Sequence, residues 1–217
     1  MTDTATRQGI DYEPKGLSQG GGEGSDFAPV PEGKFRMHIE LTTMKAPLEG
    51  KKGPDGKPQK TYPRVLFTCK LVEEHAIKLK EKTKSKLAEG QEQSITCWHS
   101  GNYTWGWVDR QGTFHSSKLF DFCADVGGML VKSDMKKWLL AGGTLDPDWF
   151  KGMVFRGIVE HAANPNGGVY VNVTPQALDE YEKPNREKLI ECFKRHDPEL
   201  LNKLADNPVD DDPDLPF

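Results

Sequence analysis

Over residues 34–41 the chain alternates polar and apolar without a break. Phe35, Met37, Ile39 and Leu41 fall on one side, and Lys34, Arg36, His38 and Glu40 on the other. That is the period of a half-buried strand. The period returns over 61–72, with Val65, Phe67, Cys69 and Leu71 turned to a core and Tyr62, Arg64, Leu66, Thr68 and Lys70 turned away. A third strand is expected over 94–100, with Ile95 and Cys97 inward and Thr96 and Trp98 outward. Residues 102–107 continue it or turn back as a short hairpin. Two late strands, 153–161 and 169–174, are joined by Asn164-Pro165-Asn166-Gly167-Gly168, a hairpin composition.

Between the third and fourth strands the period lengthens to that of a helix. Ser116 or Ser117 caps a helix to 126, with Leu119, Phe122, Cys123 and Val126 on one face and Gly127-Gly128 as its stop. A second helix is expected from a Ser133-Asp134 cap through Trp138 and Leu139 to Gly142-Gly143. Two more are expected over 185–196 and 197–205; Asp197-Pro198-Glu199 gives an N-cap, a first-turn proline and a first-turn acid. Residues 73–92, rich in Lys and Glu, read as a solvated helix or mobile arm.

Three strands, one or two helices and two strands is the order of an OB-fold. The predicted class is mainly β: an OB-fold-like five-stranded barrel with inserted helices and a C-terminal helical extension. The expected organisation is a disordered segment over 1–30, the barrel over 31–175, the extension over 176–205 and an acidic disordered tail over 206–217. The polar N-terminus, with its SQGGGEGSD run, cannot bury much apolar surface.

The formal charge of −4 averages over unlike parts. Residues 206–217 hold five aspartates and no base, and residues 1–32 hold six acids against two bases, which leaves the body at +5. Within the body, 45–86 carries 12 bases against five acids. A basic body with acidic ends suits a polyanion, with the tail competing for the same field. No stretch reaches 18 apolar residues and no signal-peptide pattern opens the chain, so a cytoplasmic protein with no membrane contact is expected. Four cysteines without a CxxC are expected to be reduced core thiols.

The most specific segment is Asp210-Asp211-Asp212-Pro213-Asp214-Leu215-Pro216-Phe217. Consecutive aspartates repel and stay solvated, and the terminal ring shares its residue with a free carboxylate. Such a handle fits an apolar pocket with a basic rim. The segment resembles the acidic tip of bacterial single-stranded DNA-binding proteins and the Phe-ended tails of phage-encoded ones. The resemblance implies that Asp210, Asp211, Asp212, Asp214, Pro216 and Phe217 recruit replication and recombination proteins and compete with DNA for the protein's own groove. Pro31-Glu32-Gly33-Lys34-Phe35 and Gly167-Gly168-Val169-Tyr170-Val171-Asn172-Val173 are looser echoes in the body. A helical segment where bacterial proteins carry a Gly- and Gln-rich linker, and Pro213 within the acidic run, favour the phage type. Homo-oligomers are compatible with this reading.

Binding of single strands without sequence preference needs a basic groove and flat rings on which bases stack. The outward strand faces offer Arg36, Tyr62, Arg64, Lys70, Trp98 and Tyr170. Tyr103, Trp105 and Trp107 share a face if their segment is extended. Lys51, Lys52, Lys57 and Lys60 lie on the loop between the first two strands, which commonly lines the nucleic-acid groove of OB-folds. Lys78, Lys80, Lys82, Lys84 and Lys86 offer further phosphate contacts or a plain solvated face. Cys69, Cys97, His99 and Cys123 include zinc-ligand types without the paired spacing of zinc sites. No Walker loop, GxGxxG, HExxH or GxSxG is present, and the histidines suggest no catalytic dyad. The expectation is a non-enzymatic, cofactor-free protein that coats single-stranded DNA during phage replication or recombination. A protein adaptor without DNA affinity and a small metal-dependent nuclease are the alternatives.

Overall fold

The computed structural model describes residues 27–46, 63–163 and 169–206. Their elements, in chain order, are β1 (Phe27–Ala28), β2 (Gly33–Lys45), β3 (Arg64–Leu71), α1 (Glu73–Thr83), β4 (Glu92–Gln93), β5 (Thr96–Asn102), β6 (Gly106–Val108), β7 (Phe114–Ser116), α2 (Lys118–Gly127), α3 (Met129–Leu140), β8 (Val154–Ala163), β9 (Val169–Gln176), α4 (Asp179–His196) and α5 (Pro198–Asp206). A short 3-10 turn, Pro147–Phe150, precedes β8.

Five strands form one antiparallel sheet in the order β5-β3-β2-β8-β9. The sheet curls until its edge strands β5 and β9 approach each other, yet no strand pairing joins them among the described residues. The sheet is therefore not closed. With 42% of the described residues helical and 35% in strands, the class is mixed α/β rather than mainly β.

The alternation read from the sequence places the core. Met37, Ile39, Val65, Phe67, Cys69, Leu71 and Cys97 are buried on the inner face. Leu66 is buried as well, from the outer face. Leu41 departs from the pattern and is 49% exposed. The register with β3 runs Ile39↔Cys69 and then Leu41↔Thr68, so Glu40 is an extra residue. This bulge turns the following side chains over.

α2 starts as expected. Ser117 Oγ accepts the Phe120 N–H at 3.1 Å, and Leu119, Phe122, Cys123 and Val126 are buried. α3 begins at Met129 instead of at the Ser133-Asp134 cap. Its first turn is capped from far along the chain, by Glu182 Oε1 accepting the Leu130 N–H at 2.9 Å. Gly128 joins the two helices at φ 96°, and a Cβ there would come within 2.7 Å of the Glu182 carboxylate. Gly128→Ala is expected to cost on the order of 1–3 kcal/mol, the range for a strained backbone position. Urea unfolding checks it; an unchanged midpoint would show that the junction relaxes freely.

Around the sheet, α1 is an ordered helix that buries Ala76 and Leu79. Order also begins before Pro31: β1 runs beside β4, Val30 is buried, and the Gln93 side-chain amide donates to the Ala28 and Pro29 carbonyls. α4 begins at Asp179, two turns before the expected start, and runs through Pro184. Its Leu189 and Phe193 belong to the same core as the sheet, with Phe193 stacked on Trp138 at 4.1 Å. α5 has its predicted cap: Asp197 Oδ1 accepts the Leu200 N–H at 2.9 Å. No helix of the described residues is long and apolar enough to cross a membrane.

Candidate nucleic-acid groove

Where β5 and β9 approach, they leave a groove of about 440 Å³. Trp98, His99 and Ser100 of β5 line one side, and Tyr170 to Thr174 of β9 the other, with Ala162 and Lys118 completing it. Side chains alternate along a strand, so each wall has two layers. Val171 and Val173 are buried on the inner side of β9, and Asn172 and Thr174 are exposed with Tyr170 on the outer side. On β5, Cys97 and His99 face inward and Trp98 and Ser100 outward. The His99 ring stacks on Phe122 at 3.8 Å, which anchors the floor to α2. Lys118, the first residue of α2, brings a cation to the groove.

The outward face continues onto β3. Trp98 stands opposite Thr68, with Lys70 and Arg64 on the same side of β3 in positions facing Thr96 and Asn102. Lys70 Nζ holds Glu40 Oε1 at 2.5 Å, so part of its charge is spent within the sheet. The arrangement presents two rings on opposite walls and cations at Lys118, Arg64 and Lys70.

Other expected contacts lie elsewhere. Arg36 projects from the centre of the sheet and pairs with Glu180 of α4 at 2.5 Å. The 102–107 segment is not extended: β5 ends at Asn102, the Thr104 N–H returns to the Asn102 carbonyl, and the chain enters a separate β6–β7 hairpin. Tyr103, Trp105 and Trp107 therefore share no strand face. Trp105 packs against Phe150 and its Nε1–H donates to the Leu145 carbonyl at 2.9 Å, a structural position. Tyr103 meets Trp105 edge-on. Trp107 is 43% exposed on the hairpin and stacks on His115 at 5.2 Å. His115 in turn bonds Asp109 at 2.9 Å, and with the Thr113 N–H it holds the Asp109 carboxyl below its usual range. Lys51, Lys52, Lys57, Lys60, Tyr62 and the tip residues Asp210, Asp211, Asp212, Asp214, Pro216 and Phe217 lie outside the described residues.

The cysteines are free and buried. Cys69 and Cys97 stand opposite each other on β3 and β5. Among the described residues no three His, Cys, Asp or Glu side chains are grouped as metal ligands, so Cys69, Cys97, His99 and Cys123 do not form such a set.

Sequence reasoning missed Lys118, Ser100, Asn172 and Thr174. The signal for Lys118 was present, since the Ser117 cap fixes it as the first helical residue. The others are small polar residues that only the approach of two distant strands makes into a wall. No protein-family model matches the chain, and comparison with curated proteins and with solved structures finds no significant match.

Proposed function

We propose that the protein binds single-stranded DNA in the groove between β5 and β9. The observation that carries this is the placement of Trp98 and Tyr170 on the two walls, with Lys118 in the groove and Lys70 and Arg64 on the same outer face of β3 as the position opposite Trp98. Flat rings take bases without regard to sequence, and the cations take phosphates. The strand order supports an OB-fold reading. Counting β2, β3, β5, β8 and β9 as one to five, the order is three-two-one-four-five, with α2 and α3 inserted between three and four. The seam falls between strands three and five, where an OB barrel closes. On this reading the protein coats single strands in phage replication or recombination, and its acidic tip recruits partner proteins.

Single-stranded oligonucleotides are expected to bind more tightly than the same sequence as a duplex, with little dependence on base composition. The affinity should fall with salt at a slope of about −0.7 per phosphate contact. Fluorescence anisotropy at several salt concentrations measures both. Equal affinity for duplex, or a flat salt response, refutes the reading, and loss of all oligonucleotide binding would leave the adaptor alternative.

Deleting residues 210–217 removes four aspartates and should raise DNA affinity at low salt. A tethered acidic tail competes at high effective concentration, and the competition fades as salt screens it. Removing Phe217 alone should leave DNA affinity nearly unchanged and abolish partner recruitment. Unchanged affinity after the full deletion would show that the tail does not compete for the groove.

A further inference from the structure

A second cluster of positive charge lies on the other side of the curled sheet. β2 is the central strand and the groove lies between the two edge strands, so the outer face of β2 and β8 lies away from it across the curled sheet. On that face Arg36 of β2 and Arg156 of β8 stand directly opposite each other in antiparallel register. Like charges so placed repel and weaken a strand pair. Lys34, two residues before Arg36, projects from the same face of β2. With His75 of α1, Phe35 and Leu178, these residues line a pocket of about 120 Å³.

The surrounding acids neutralise the cluster only in part. Glu180 Oε1 takes one Arg36 nitrogen at 2.5 Å, and the guanidinium lies 5.5 Å from the centre of the Tyr181 ring. Among the described residues Arg156 donates to a neutral amide, Gln176 Oε1, at 3.3 Å. Neither Arg156 nor Lys34 is paired with a carboxylate among the described residues. Glu74 of α1 is hydrogen-bonded to Lys78, though it also feels the charges of His75 and Arg36, and Glu182 of α4 is turned to the Leu130 N–H. His75 Nδ1 accepts the Arg36 backbone N–H at 3.0 Å, so the ring proton is carried by Nε2, a further donor.

We propose that this pocket is a site for an oxyanion of the phosphate class, held by Arg36, Arg156, Lys34 and the His75 Nε2–H. A tetrahedral oxyanion offers several acceptor oxygens and up to two negative charges. Planar arginine forks match it, and its charge removes the cross-strand repulsion. The phosphate belongs either to a free small anion or to the backbone of a nucleic-acid strand that continues past the groove. The second source rests on the single-stranded DNA reading.

The full-length protein is titrated with sodium phosphate at constant ionic strength, with sodium chloride as control, while the arginine Nε–H signals are followed by NMR. A parallel titration uses an oligothymidylate. Phosphate, and not chloride, should shift the Arg36 and Arg156 signals saturably. Arg156→Gln should weaken the phosphate response about tenfold, the scale of one charge-assisted hydrogen bond. Glu180→Gln removes the competing carboxylate and should strengthen it, which a merely misfolded variant would not do. Oligothymidylate shifting the same arginines identifies a strand phosphate; phosphate alone doing so identifies a free anion. Oligothymidylate that quenches Trp98 fluorescence, with both titrations silent at the arginines, overturns this site and leaves the groove standing. Saturable phosphate binding with no oligothymidylate binding anywhere supports the site and overturns the groove.

Discussion

Raising the pH from 7 to 10 is expected to cost the folded protein on the order of 6 kcal/mol through three thiols alone. Cys69, Cys97 and Cys123 are buried in the shared core. Burial pushes the Cys97 thiol up to about 12 and holds Cys69 and Cys123 well above the ordinary thiol range, with the neighbouring cysteine adding to the shift at both. In the unfolded chain each thiol ionises near ~8.5. Below that pH both states keep the proton and the thiols cost nothing. Above it the unfolded state releases protons that the folded state retains, so stability falls by about 1.4 kcal/mol per pH unit per thiol until the folded thiols themselves ionise. A loss of about 6 kcal/mol is comparable with the whole stability of many domains. Urea unfolding at pH 7, 8.5 and 10 measures it. Cys97→Ala should remove about a third of the slope, which separates the thiols from lysine and tyrosine titration. An unchanged midpoint at pH 10, or native-state reaction of these thiols with a thiol reagent at neutral pH, would contradict the burial.

What the sequence disclosed and what it hid divide along physical lines. The inner faces of the strands were legible because burial on one side imposes a period of two, and Met37, Ile39, Val65, Phe67, Cys69, Leu71 and Cys97 all obey it. Local chemistry also spoke plainly: Ser117 and Asp197 cap α2 and α5, and Gly128 stops α2. The failures come from distant partners. α3 starts early because Glu182, more than fifty residues on, caps it. α4 starts early because its first turns carry little apolar periodicity and include Pro184, while Asn185 is fixed by the Val126 and Val154 carbonyls. Leu41 is turned outward by a bulge that exists only in the register with β3. The groove was half legible. Trp98 and Tyr170 could be assigned outward faces, but that they confront each other depends on the curl of the sheet. Trp105 has the same composition signal as Trp98 and yet ends against Phe150, because the chain turns at Asn102.

Replacing Trp98 and Tyr170 together by alanine is expected to reduce affinity for single-stranded DNA by roughly 30- to 20,000-fold with little loss of stability. One base stacked on an aromatic ring is worth about 1–3 kcal/mol, or roughly 5- to 150-fold. The two rings sit on different strands, on opposite walls of the groove, and both remain partly accessible. Rings that hold different bases and share no packing contacts should give nearly additive losses. Truncation opens no enclosed cavity, since both side chains border the groove, so the melting temperature should move little. Trp105→Ala supplies the contrast. It removes a hydrogen bond to Leu145 and packing against Phe150, and it should lower the melting temperature while the folded fraction keeps its affinity. Anisotropy with oligothymidylate and thermal melting on the double variant and on Trp105→Ala separate the cases. If the double variant melts early, the rings support the seam instead of serving it. If it melts normally and still binds DNA as tightly as before, the strand does not run between β5 and β9.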